Sequence, residues 1–280
     1  MIEVIHPIYP HSRLYKYRYF DFDVESSGRR FQTRLLTNRE LHFSSPKDFN
    51  DPFDFCIPIR FLDGTEDQIK SYLSQIARRE EPKKTEEEIY IFVEKRYREL
   101  PDDKLGRDLL EREYAKRTTS EWGVHCFSEV NNETLMWSHY AKSQTGFCLG
   151  LNADKLFHYM TNESRIKGYW LDDVHYDDEY PYISPYIDSW NSNDQLRQIF
   201  RVKAKKWEYE KEWRLIWAHE RGRQIIFGND IIEEIILGLS CSEENRERVM
   251  QLAKGTKIEV YQASFIDRSF NIDTRNIQLQ

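Results

Sequence analysis

Cysteine is scarce: the 280 residues hold four, Cys56, Cys126, Cys148 and Cys241, widely spaced and with no CxxC pair. That spacing excludes a zinc knuckle and a disulfide scaffold and reads as a chain of the reducing cytosol. No apolar run reaches the roughly 18 residues of a membrane span. The start, MIEVIHPIYPHSRLYKYRYF, has no basic flank leading into a long apolar stretch, so neither a signal peptide nor a membrane anchor is expected. Positive charge is not in excess either. Lys and Arg number 41 against 48 Asp and Glu, a net charge of −7, so nucleic acid would have to be met in a local groove and not by bulk attraction. The signatures GxGxxG, GxxxxGK[ST], HExxH and GxSxG are all missing, which sets aside a dinucleotide fold, a P-loop, a zincin and the common serine hydrolases. Eight histidines show no ligand spacing on one helix face, and no metal site is expected.

What is abundant is aromatic and charged. Aromatics make up 14% of the chain and hydrophobic residues 39%, enough for a real core beside 32% charge. LYKYRYF, from Leu14 to Phe20, alternates basic and aromatic residues and predicts a strand with Lys16 and Arg18 on one face. LHFS at 41–44 predicts another short strand, and SPKDFNDPFD at 45–54 is turn chemistry. Between Glu66 and Arg117, 27 of 52 residues are charged, 13 basic and 14 acidic, on apolar stripes that predict helices; Thr85 with Glu88 three residues on reads as a capping box. After Gly123 short strands return at 124–128, 146–151, 212–217, 233–238 and 257–263, with helical segments near 135–142, 153–160, 194–204 and 243–253. Irregular alternation of this kind predicts an α+β fold, a single domain over 1–280 with a charged helical insert at about 64–120.

Three segments carry candidate chemistry. In YEKEWRLIW, Glu210 and Glu212 stand two apart at a strand entrance, where an extended backbone would aim both to one side. Two like charges there serve acid–base or cation-stabilising work, or they pair with Lys205, Lys211 or Arg214 on a surface strand. In VHCFSEVNNETLMWSHYA, a strand ending at Ser128 leads into a helix start with Trp137, Ser138, His139 and Tyr140. This is either an anion-binding helix entrance or ordinary core packing. In FNDPFD, Asn50 and Asp51 form a rigid turn or line a pocket whose floor presents Tyr17 and Arg18.

Taken in order, LYKYR, FSSPKDFNDPFD, GVHCFSE, LMWSHYAKSQTGFCLGL and KWEYEKEWRLI resemble an abundant bacterial family labelled only as a domain of unknown function, with Gln144 where many relatives are expected to carry a second histidine. More distantly, YEKEWRLIW is similar to the ExE strand of ADP-ribosyltransferases. That resemblance implies a split mixed or antiparallel sheet, NAD as substrate, Glu212 as the catalytic carboxylate and Glu210 acting on the acceptor. It further implies Arg18 and Tyr17 on the first strand holding the cofactor and Ser128 behind the nicotinamide; the residue chemistry of the loop and the helix start adds Asn50, Trp137, His139 and Tyr140 as expected cofactor contacts. The expected function is ADP-ribosyl transfer by a cytoplasmic bacterial toxin or phage-defence effector, with a possible antitoxin or chaperone as partner. Hydrolysis of NAD, or a non-catalytic nucleic-acid or protein-binding module, are the alternatives. The aromatics near the pocket favour single-stranded RNA or DNA as acceptor over protein. A basic groove would come from Arg78, Arg79, Lys83, Lys84, Lys95, Arg96 and Arg98, unless these pair with the equally numerous acids beside them.

Overall fold

A computed structural model describes residues 12–22, 31–163, 168–186, 192–218, 220–228 and 230–279. In chain order the elements are β1 (Arg13–Arg18), α1 (Phe31–Thr37), β2 (Glu40–His42), α2 (Glu66–Glu80), α3 (Glu86–Arg98), α4 (Lys104–Thr119), β3 (Gly123–Ser128), α5 (Thr134–Tyr140), β4 (Phe147–Asn152) and α6 (Ala153–His158). There follow β5 (Tyr169–Asp173), β6 (His175–Asp177), α7 (Ser192–Arg201), β7 (Val202–Ala204), β8 (Glu212–Trp217), β9 (Gln224–Ile226), β10 (Ile232–Leu237), α8 (Glu243–Ala253), β11 (Glu259–Phe265) and β12 (Ile272–Gln278). The fold is α+β with a mixed sheet, as the sequence predicts. Met1 to His11, read for a leader, lie outside the described residues.

The chain divides into two compact units. The first comprises 1–45, 122–176 and 205–280 and holds an eight-stranded sheet in the order β12-β11-β10-β4-β1-β3-β8-β5. Its pairs are antiparallel except for parallel β10 and β11. Alternation along the strands gives the sheet two apolar faces. Leu14, Phe127, Phe147, Leu149, Leu215 and Ile235 point to one, where Leu35 of α1, Leu156 of α6 and Val249 of α8 cover them. Tyr15, Tyr17, Cys148 and Ile236 point to the other, under Met136 and Trp137 of α5.

One junction is different from the rest. β1 pairs with β4 over six residues and β3 with β8 over six, yet β1 and β3 meet only at Tyr15↔Ser128. Beyond that pair the two strands part, and the sheet is split at its middle. Gly146 holds the far side of β1 in place, because a Cβ there would run into the carbonyl oxygen of Arg18.

The second unit comprises 46–121 and 177–204, so the helical stretch expected at about 64–120 is the larger part of a unit that begins at Pro46 and takes in a second chain segment. Thr65 and Thr85 both form full capping boxes, with Gln68 and Glu88, and Asp103 caps α4. Ile69, Ala77, Ile89 and Val93 are the buried stripes of α2 and α3. Much of the charge on these helices is mutually answered. Arg78 pairs with Glu86, Lys84 with Glu81, and Lys95 and Arg96 with Glu99, so four cations of the anticipated basic groove face acids of their own surface.

Candidate functional site at the split of the sheet

Backbone register decides which candidates share a face. Side chains paired across antiparallel strands point the same way. Tyr15 pairs with Ser128, and Ser128 with Glu212, so Ser128 and Glu212 lie on the α5 side. Lys16 and Arg18 pair with Leu149 and Phe147, whose side chains belong to the opposite face. Tyr17 therefore does not share a floor with Arg18, and Arg18 and Glu212 are on opposite sides of the sheet with the split between β1 and β3 beside them.

On the α5 side the two glutamates are buried, at 3% and 5% exposure for Glu210 and Glu212. They are not successive outward residues of one extended strand, as their spacing suggests. Glu210 closes a 3-10 segment over Lys205–Glu210, and Lys211 takes a left-handed φ of 44° before β8 begins. This kink delivers the two carboxylates by different routes. The Tyr140 hydroxyl donates to Glu210 Oε1 at 2.6 Å, and the Ser128 hydroxyl donates to the Glu210 carbonyl at 2.6 Å, which ties the end of β3 to the kink. Glu212 accepts a fork from Arg214, Nε to Oε1 at 2.9 Å and Nη2 to Oε2 at 3.1 Å. Its backbone N–H donates to the Tyr176 hydroxyl at 2.8 Å. The positions two apart on β8 make this fork possible, and full burial of Arg214 demands it, since an unanswered guanidinium is costly away from water. Of the cations named as surface partners, Arg214 pairs with Glu212, and it does so in the core.

Along the split stand the cations. The Lys16 ammonium donates to the carbonyl oxygen of Cys126 on β3, spanning the gap. Burial, then the neighbouring Arg18 charge, pushes its pKa down to about 7, opposed by Cys126 and by the charges of Glu212 and Glu210. Arg18 is pushed down to about 10 by burial. Its Nε is buried without a hydrogen-bond partner. His125 of β3 is held far below its usual pKa by burial and by the charges of Lys16 and Arg18, so it is neutral. Its Nδ1 lies 2.9 Å from the His42 carbonyl, which can only accept; the proton is therefore on Nδ1, and the buried Nε2 is a bare acceptor with no partner. Two orphaned polar atoms beside a parted strand pair are what a polar ligand would satisfy, because buried polar atoms are rarely left unmade.

Other candidates fall elsewhere. Tyr17 and Trp137 are core: their rings meet edge to face at 5.2 Å, the Tyr17 hydroxyl donates to the Val130 carbonyl, and the Trp137 indole N–H donates to that of Asn131. With 2% and 0% exposure they present no ring face for a cofactor to stack on, and Tyr140, half-buried against Glu210, is the aromatic left for it. His139 is exposed on α5. Asn50 is exposed in the second unit, where its loop lines a cavity floored by Phe55 and Thr119 and not by Tyr17 and Arg18. Sequence reasoning named Arg214 only as a surface partner, did not read Lys16 as a near-neutral amine, and missed His125. Lys16 and Arg214 were legible as polar residues two positions from another candidate on the same strand, the spacing that brings side chains to one face.

Among the described residues no group of three or more His, Cys, Asp and Glu is placed to hold a metal, and no helix is long and apolar enough to cross a membrane. A family model described as a protein of unknown function, DUF2971, matches residues 136–215. That span runs from α5 into β8 and so contains Trp137, His139, Tyr140, Glu210 and Glu212, while Tyr17, Arg18, Asn50 and Ser128 precede it. No curated protein and no solved structure matches the chain.

Proposed function

We propose that the protein cleaves the bond between nicotinamide and ribose in NAD and passes ADP-ribose to a macromolecular acceptor. The observation that carries this reading is the split itself. The sheet opens between β1 and β3 after one residue pair, with the orphaned Arg18 Nε along the opening and the buried carboxylates Glu210 and Glu212 at its closed end.

The residue chemistry suits the reaction. As the glycosidic bond breaks, nicotinamide leaves with the bonding electron pair as a neutral base, and positive charge grows on the ribose anomeric carbon. A carboxylate that accepts a hydrogen bond from the 2′-hydroxyl stabilises that charge. Glu212 has this role, and the fork from Arg214 fixes the orientation of the group. The acceptor nucleophile then attacks the anomeric carbon and gives up a proton, for which Glu210, oriented by Tyr140, is the receiving base. Arg18 and Lys16 answer the pyrophosphate charge.

The full engagement of Glu212 by Arg214 favours a second reading, in which the buried pair is structural and the opening binds a phosphate-bearing ligand without cleaving it. Incubation of the full-length protein with NAD labelled in the adenylate half and a bacterial lysate separates the two. Label carried into nuclease-sensitive or protease-sensitive material, with release of nicotinamide, supports transfer. Intact NAD after incubation, with binding retained, supports the second reading.

A further inference from the structure

The FNDPFD loop has a cavity of its own in the second unit, and nothing in the reaction above uses it. The cavity, of about 340 Å³, lies between the loop and the last turn of α4, a size that belongs to small-ligand sites. Half-buried Phe49 is the aromatic face of its lining, backed by the fully buried Phe55, whose ring it meets edge to face at 4.9 Å. Lys47 and Lys116 are exposed cations of its lining, and Asn50 adds an exposed amide.

Inside, Asp51 is 7% exposed. One carboxylate oxygen accepts the Phe53 backbone N–H at 2.9 Å, and the other has no hydrogen-bond partner among the described residues. The second acid of the lining, Asp54, is answered by the buried Lys203 ammonium at 3.9 Å. Asp51 is thus a largely buried residue with an unpartnered oxygen, in one cavity lining with Phe49 and two exposed cations. A ligand that fits offers an N–H donor on a flat ring at one end and an anion at the other.

We propose that this cavity binds a single nucleotide unit, its base against Phe49 with an exocyclic amino group on Asp51, and its phosphate between Lys47 and Lys116. Guanine, adenine and cytosine carry such an amino group. Uracil offers only a ring N–H flanked by two carbonyls, which the carboxylate repels. A free nucleotide and one residue of a single strand share this chemistry. The site does not depend on the NAD reading, and its test uses no NAD.

The test is calorimetric titration of the full-length chain with GMP, AMP, CMP, UMP, ribose 5-phosphate and a single-stranded octanucleotide. The amino-bearing nucleotides are expected to bind at least about tenfold more tightly than UMP or ribose 5-phosphate, on the scale of one good base contact. Asp51→Asn keeps the acceptor for Phe53 and turns the open oxygen into a donor, and it should cost about tenfold for those nucleotides. Lys47→Ala with Lys116→Ala, both on exposed positions that leave the fold alone, should weaken every phosphate-bearing ligand. Displacement of the octanucleotide by GMP assigns the site to strand residues, and binding of mononucleotides alone assigns it to free nucleotide; both support the proposal. Absence of nucleotide binding at millimolar concentration, equal binding of all four bases, or wild-type affinity in the two-lysine variant overturns it.

Discussion

Two ion pairs of nearly equal length sit in the two units of this molecule and mean opposite things. Arg214 meets Glu212 at 2.9 Å with side chains 1% and 4% exposed; Arg78 meets Glu86 at 2.7 Å with side chains 50% and 75% exposed. In the sheet unit each charge exists where it does because the other is there, since removing one leaves its partner uncompensated in the core. At Arg78 and Glu86 water solvates both partners already. Distance alone does not distinguish a pair that organises a site from one that decorates a surface; burial does.

The largest effect is expected from Arg214→Met. It should destabilise the protein by about 3–5 kcal/mol, because Glu212 is left buried and unpaired. Adding Glu212→Leu should recover most of that loss, and urea denaturation of the two variants checks both statements. A single variant as stable as wild type would remove the contrast between the two pairs.

Next comes a pH effect at Lys16. Its folded pKa of about 7 lies below the ordinary lysine value of 10.5, so between these limits the unfolded chain holds a proton that the folded chain has released. Stability from this group therefore rises with pH above about 7, and its burial cost is fully present below. Lys16→Met removes the titration. Its stability relative to wild type should be most favourable at pH 6 and should decline steadily toward pH 9, measured as the difference between denaturation midpoints. A constant difference would mean that Lys16 is charged throughout.

The smaller effects belong to the helical unit. Thr85→Ala removes a capping box and should cost about 1 kcal/mol, read as a modest fall in melting temperature. Arg78→Ala should leave the melting temperature of wild type within error, because the Glu86 it abandons is already in water.

The legible part of this fold is the part set by local chemistry. The Thr85 cap, the α2 and α3 stripes and the aromatic strands β1, β3, β4 and β8 are where alternation and capping residues put them. β12 was not legible: IDTRNIQ is an edge strand whose Asp, Thr, Arg and Asn carry little apolar alternation. Nor was β5, YWLDD, where two aspartates end a strand packed against β8. At the candidate site, Glu210 and Glu212 were legible as a motif, but their geometry was not, because the left-handed turn at Lys211 has no glycine to announce it. Tyr17 and Trp137 show the other limit. An aromatic beside polar residues reads equally well as a stacking platform or as core, and only the tertiary partner, here each other, decides. The single-residue pairing of β1 with β3 is a tertiary fact with no local signal at all.

We propose that the buried carboxylate at the closed end of the split drives cleavage of NAD. Release of nicotinamide from NAD by the purified full-length protein, compared with Glu212→Gln, tests it most directly. The glutamine keeps an acceptor for Arg214 but loses the charge that stabilises the cationic transition state. The account predicts measurable release by wild type and a loss of about 10²–10³ in rate for the variant at nearly unchanged affinity for NAD. Equal release by the two proteins, or none from wild type with NAD bound, would contradict it.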